Sequence, residues 1–221
     1  VVDNILVESS GATADVRLDT WLKDLLPRTP GAVRPVVKRE LVLAVREFYT
    51  QSLAWRVVIG PKNMKAGKKL YTMSPYDAYA DVVKVFSVEL EGSPLRRYVR
   101  RPAGAEPAAD RPTGFFLEDV DNVRLWPTPV VGVDDGLTFY VALTPKQTVT
   151  HLPRMAMSHH YDALLDGALG RLYNHPAKPY TDPLRSSYHL RRFRGFIAEF
   201  RSAAREGNAD APSWTFPKFG R

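Results

Sequence analysis

The chain has 221 residues, no cysteine and a formal net charge of +7. Disulfides, thiolate metal sites and thiol catalysis are thereby excluded, and no apolar run approaches the roughly eighteen residues of a membrane span. A chain of this mass buries about 70% of its unfolded surface, so it can form a sizeable core as one domain with an insertion or as two small domains.

Residues 1–8 lack the basic and apolar segments of a signal peptide, and the absence of an initiator Met leaves room for residues ahead of Val1. The first helix is expected over about 15–26, with Asp15 as cap and Leu18, Trp21, Leu22 and Leu25 at helical spacing before Pro27. A second follows over about 35–54. Pro35 suits its first turn, and Val37, Leu41, Ala44, Val45 and Phe48 line one face.

The pattern changes after Trp55. Short β-type runs broken by Pro, Gly and Asp fill residues 55–150, which indicates a small antiparallel sheet. The stretch Pro102 to Pro112 has the composition of an exposed, mobile loop. Helical period returns over about 153–174, where Met157, Tyr161, Leu164, Leu165, Ala168, Leu169 and Leu172 trace one apolar face. Pro183 opens a last helix, about 183–206, with Tyr188, Phe193, Phe196, Ile197 and Phe200 as its stripe. The expected fold class is therefore α+β: mainly an α-helical bundle of about four helices, carrying an inserted small antiparallel β-sheet, in a single domain over residues 1–209. Residues 210–221 form an extended tail. Its Trp214, Phe216 and Phe219, with Pro212 and Pro217, fit neither helix nor strand, and suit an anchor for a neighbouring chain.

Nothing in the residues argues for catalysis. His159 and His160 are adjacent and point about 100° apart on a helix, so they do not share an ion. Glycine-rich phosphate motifs are absent, and Gly167 with Gly170 fits close helix packing better than phosphate binding. Asp119 with Asp121, and Asp134 with Asp135, read as turn residues. No metal and no cofactor is expected.

The basic residues carry more information. Residues 151–221 hold 11 basic and 6 acidic residues, against 20 and 18 in residues 1–150. Arg56, Lys62, Lys65, Lys68 and Lys69 surround the first hairpin, with no acidic residue between Glu47 and Asp77. Such a hairpin suits a phosphate backbone or an acidic partner surface, and a merely solvated hairpin is the plainer alternative. Arg96, Arg97, Arg100 and Arg101 flank the loop 102–112, and Arg191, Arg192 and Arg194 decorate the last helix. Aromatics do not interleave with the hairpin lysines as on a surface that stacks single strands.

Several motifs occur in a telling order: the helix Phe48 to Trp55 running into a strand, then Met73-Ser74-Pro75-Tyr76-Asp77-Ala78-Tyr79-Ala80-Asp81-Val82, then Asn122-Val123-Arg124-Leu125-Trp126-Pro127-Thr128-Pro129. A strand ending Val141-Ala142-Leu143-Thr144-Pro145 follows, and a Leu152-Pro153 step opens the next helix. Over roughly residues 15–206 this arrangement resembles the head-to-tail adaptor proteins of tailed bacteriophages, the tail tubular protein A type among them. The resemblance implies a homo-oligomeric ring, commonly of twelve subunits, between the portal protein and a tail or nozzle protein. Genomic double-stranded DNA would cross its channel without sequence-specific reading, and a C-terminal extension would clasp the portal. It further implies a place in the neck of the virion after synthesis in the host cytoplasm. The alternative, from a different class, is a DNA-binding packaging or neck-completion factor that uses the basic hairpin and the Arg-rich helix. An enzymatic tail component lacks a supporting constellation of residues.

Overall fold

The computed structural model describes residues 16–73, 80–100, 111–152 and 154–206. The N-terminal region comprises β1 (Val16–Arg17), α1 (Asp19–Leu25), a 3-10 turn (Leu26–Arg28) and α2 (Arg34–Ser52). Trp21, Leu22 and Leu25 are buried on α1, and Pro27 stands within the turn that ends it. On α2 the expected face is buried, and Glu40 and Val42 are buried beside it. The helix stops at Leu53, which adopts the left-handed conformation (φ 56°) and donates its N–H to the Tyr49 carbonyl at 3.1 Å.

The β block comprises β2 (Arg56–Met64), β3 (Leu70–Thr72), β4 (Ala80–Leu90), β5 (Ser93–Pro94), β6 (Arg96–Arg97), β7 (Gly114–Leu117), β8 (Asn122–Trp126), β9 (Val133–Pro145) and β10 (His151–Leu152). One antiparallel sheet has the order β2-β9-β4-β5, and a second has the order β3-β8-β7-β6, in which only the β6–β7 pair is parallel. A small third sheet joins β1 to β10, which pins the start of the described chain to the end of the β block. Leu137, Phe139, Val141 and Leu143 alternate inward along β9, while Val123 and Leu125 do so on β8. Both sheets and the helices feed one continuous core.

Strand β4 departs from simple alternation. Val82, Val85 and Val88 are all buried although they are three residues apart. The register against β9 shifts between Val82 and Lys84, and again between Val85 and Ser87. Each bulge adds one residue to the strand, so the inward period becomes three. At its far end Leu90 pairs with Ser93 across Glu91 (φ 49°) and Gly92 (φ 76°), the two positive-φ positions that a two-residue hairpin turn of type I′ requires.

Three helices complete the fold: α3 (Arg154–Ser158), α4 (Tyr161–Tyr173) and α5 (Pro183–Glu206). Every residue of α4 from Ala163 to Gly170 is buried, because α2 and α5 both pack against it. Its glycines set the spacing. A Cβ on Gly167 would lie 2.7 Å from the Phe193 ring and 3.0 Å from the Ala44 Cβ, and one on Gly170 would lie 2.7 Å from Leu190 Cγ.

The structure corrects the expected fold class. The chain is α+β, but it is not mainly a helical bundle with a small inserted sheet. The described residues form ten strands in three sheets, and the β block is a major part of the core. The physical reason is that strand pairing is non-local. Val57 meets Val141, and pieces as short as β6 and β10 owe their existence to distant partners rather than to local preference. The helix expected as continuous over 153–174 is also interrupted, at His159–His160, where His160 leaves the helical conformation (φ −113°, ψ 7°) and is buried.

Candidate functional site

The β2–β3 connection presents most of the lysines expected to face a partner. Gly67, at φ 72°, donates its N–H to the Pro129 carbonyl at 2.8 Å, and the Lys65 N–H donates to the Tyr71 hydroxyl at 2.9 Å. The loop is thus tied both to the β8–β9 connection and to its own returning strand. Lys65, Lys68 and Lys69 are exposed on it, and the Lys68 ammonium lies 5.1 Å from the centre of the Tyr71 ring. Lys62 is half-buried and donates to the Thr72 carbonyl at 2.9 Å. Burial, and then the charge of Lys68, lower its pKa.

Arg56 does not belong with this cluster. It stands at the opposite end of β2, where its guanidinium lies 4.5 Å from the centre of the Phe86 ring and donates to the Ala204 carbonyl on α5. Burial lowers its pKa, and its Nε is buried without a hydrogen-bond partner. It ties a strand to a helix.

On α5 the arginines divide by role. Arg191 and Arg194 are exposed and make no ion pair among the described residues. Arg192 is engaged. It lies over the rings of Tyr188 and Phe196 at 5.6 and 5.8 Å, donates to the Tyr188 hydroxyl at 3.3 Å and reaches Asp166 Oδ2 at 3.2 Å. The Tyr188 hydrogen bond and the Asp166 charge raise its pKa. The same helix leaves Leu184 85% exposed and Tyr188 56% exposed, so its outer face combines cations with uncovered apolar surface.

Two buried carboxylates were not anticipated from sequence. Asp166 pairs with His189 Nδ1 at 2.7 Å, and Glu40 lies 3.3 Å from His175 Nε2 and 2.9 Å from Arg39. Both interrupt apolar helix faces: Glu40 precedes Leu41, and Asp166 follows Leu164 and Leu165. That polar-in-apolar position is the signal that marks them. Arg192 also reaches Asp166, and the two clusters tie α2 to the turn that follows α4, and α4 to α5.

His160 is held among the rings of Phe48, Tyr49 and Phe200, and its Nδ1 lies 3.1 Å from the Tyr49 hydroxyl. Burial, and secondarily His159, bring its pKa down to about 4. Asp119 caps its own turn. It accepts from the Asp121 N–H at 2.8 Å and from Asn122 Nδ2 at 2.7 Å, and the Asn122 bond leads in lowering its pKa. No group of three or more His, Asp or Glu residues among those described is placed to hold a metal ion. Trp214, Phe216 and Phe219 lie outside the described residues, as do Arg101 and most of the loop 102–112.

No helix among the described residues is long and apolar enough to cross a membrane. No curated protein matches the chain. The family model described as SU10 adaptor protein matches residues 13–214, nearly the whole length. The chain accordingly belongs to the SU10 adaptor protein family of phage head-to-tail adaptors, structural components of the virion that contact other head and tail proteins.

Proposed function

We propose that this chain forms a ring in the neck of a tailed phage, seated between the portal and the tail or nozzle protein, with genomic DNA crossing its channel. The observation that carries this reading is the adaptor family match over residues 13–214. The geometry of α5 supports it. An exposed face with Leu184, Tyr188, Arg191 and Arg194 is suited to another macromolecule, since uncovered apolar surface within a polar surround marks interaction sites. Arg191 and Arg194 attract phosphate without reading sequence, because neither the charge nor the fork of a guanidinium on a DNA backbone distinguishes bases. The tail 210–221, through Trp214, Phe216 and Phe219, is the portal-docking element in this reading.

Imaging of necks released from native particles, combined with their mass, tests the proposal. A closed ring of this chain between portal and tail is the expected result. Absence of the chain from the neck, or its presence there as isolated copies, overturns it. A tight, steeply salt-dependent affinity of the free chain for duplex DNA would instead favour a packaging factor, because phosphate contacts release counterions.

A further inference from the structure

Strand β8 is polarised. Where it begins, the turn from β7 carries Glu118, Asp119 and Asp121 around Val120, which is 56% exposed. The hydrogen bonds that Asp119 accepts from Asp121 and Asn122 fix this turn as a preformed acidic knob. Where β8 ends, five residues and about 17 Å further along, the surroundings are basic. The Leu125 N–H donates to the Lys69 carbonyl at 2.8 Å, which sets Lys65, Lys68 and Lys69 at this end. Val130 and Val131 lie beside them, 57% and 49% exposed. Gly132 packs so closely on the hairpin that a Cβ there would lie 3.1 Å from the Met64 carbonyl oxygen. The two loops therefore form one rigid tip.

Opposing charges at each end reduce this polarity without inverting it. Arg124 pairs with Glu118 at 3.1 Å and Lys62 donates to the Thr72 carbonyl beside Asn122, but neither forms an ion pair with Asp119 or Asp121. Asp134 and Asp135 lie near the basic tip, yet none of its lysines forms an ion pair with them.

We infer that the acidic knob of one copy seats on the basic tip of the next, with Val120 against Val130 and Val131 and the charges around them. This rests on the ring reading above and names the contact that builds the ring. Complementary patches at opposite ends of one rigid element make a heterologous contact, the kind that propagates in one direction and closes when the rotation permits. A small apolar centre inside a charged rim follows the usual anatomy of an interface.

Two variants of the full-length chain test the contact. Lys65→Glu with Lys68→Glu makes both ends acidic, while Glu118→Lys with Asp121→Lys makes both ends basic. Asp119 is left alone because it holds the turn. The masses of the assemblies are followed by sedimentation at low salt. Each variant by itself should assemble at least roughly tenfold more weakly than the unaltered chain, because like charges then meet. An equimolar mixture should assemble again, which a folding defect in either variant would not produce. Both variants assembling like the unaltered chain would overturn the contact while leaving the ring itself standing. Failure of the mixture to recover would overturn it too, as would lysine variants that lose only duplex-DNA affinity. A neck without a ring of this chain would remove the proposed function and this contact together.

Discussion

The Tyr49 hydroxyl stands 3.1 Å from Nδ1 of His160, joining α2 to the break between α3 and α4 across 111 positions of sequence. Around the pair, Phe48, Trp55 and Phe200 complete an aromatic cluster, and the His160 ring lies 4.7 Å from that of Phe200. Burial raises the Tyr49 pKa and lowers that of His160. Both side chains are therefore neutral at pH 7, as a packed aromatic core requires.

Acid should loosen this joint over a defined window. Folded His160 takes up a proton only near pH 4, whereas an unfolded histidine does so near pH 6.5. Between these values the unfolded chain binds more protons, so stability falls as pH drops, and the loss is complete below about 4. Urea denaturation at pH 7 and pH 5 should show the unaltered chain losing about 2 kcal/mol more than His160→Gln. Equal losses in the two proteins would mean that the His160 charge is not suppressed in the folded state.

The helix glycines give opposite expectations according to their surroundings. At Gly167, alanine must displace the Phe193 ring and Ala44, an overpacking that costs roughly 1–3 kcal/mol. Better helix propensity returns at most about 1 kcal/mol. At Gly195 on α5 an added Cβ would meet nothing within 4 Å. There Gly195→Ala gains the propensity alone and should stabilise by up to about 1 kcal/mol. Chemical denaturation of the two variants checks the contrast, and a stabilising Gly167→Ala would refute the close packing of α4.

The sequence disclosed what is local. Leu18 to Leu25, Val37 to Phe48 and Leu164 to Leu172 repeat at helical spacing, and Gly167 with Gly170 was legible as a packing device. The weight of the β block was not, since β6 and β10 are two residues each and exist only through partners remote in sequence. The double bulge of β4 hid its inward face by changing the period from two to three. Among the candidate site residues, Lys65, Lys68 and Lys69 lie together as their spacing suggested. Arg56 was misgrouped because proximity in sequence placed it beside the hairpin, while nine residues of extended strand carry it to the other end. The buried pairs Glu40–His175 and Asp166–His189 depend on helix packing that no single helix pattern reveals.

Truncating Arg56 should therefore act on stability and not on partner binding. Arg56→Ala removes the contact over Phe86 and the donor to Ala204 on α5, and should cost about 1–2 kcal/mol. Hydrogen exchange should quicken selectively in residues 201–204, the part of α5 that Arg56 holds. Lys65→Ala and Lys68→Ala are exposed changes and should stay within about 0.5 kcal/mol. Comparable destabilisation by all three would erase the distinction between a tie and a surface cation.

Removal of residues 210–221 separates docking from folding. The core assembled by α2, α4 and α5 already contains Phe48, Leu169, Phe193 and Ile197, all buried members of one apolar cluster formed by residues of the described elements. Stability of the isolated subunit should thus be nearly independent of the last twelve residues, with a change in Tm of no more than about 2 °C. Attachment to the portal should behave differently. Three aromatics within six residues offer large contact areas, and anchors of this kind each cost roughly 2 kcal/mol or more when truncated. Part of that gain is offset by ordering the segment on binding, so Trp214→Ala alone should weaken attachment by about tenfold and the full deletion should abolish it. Thermal denaturation and co-sedimentation with portal assemblies provide the two readouts. A deletion that lowers Tm sharply yet leaves portal attachment intact would show that the aromatics pack on their own subunit.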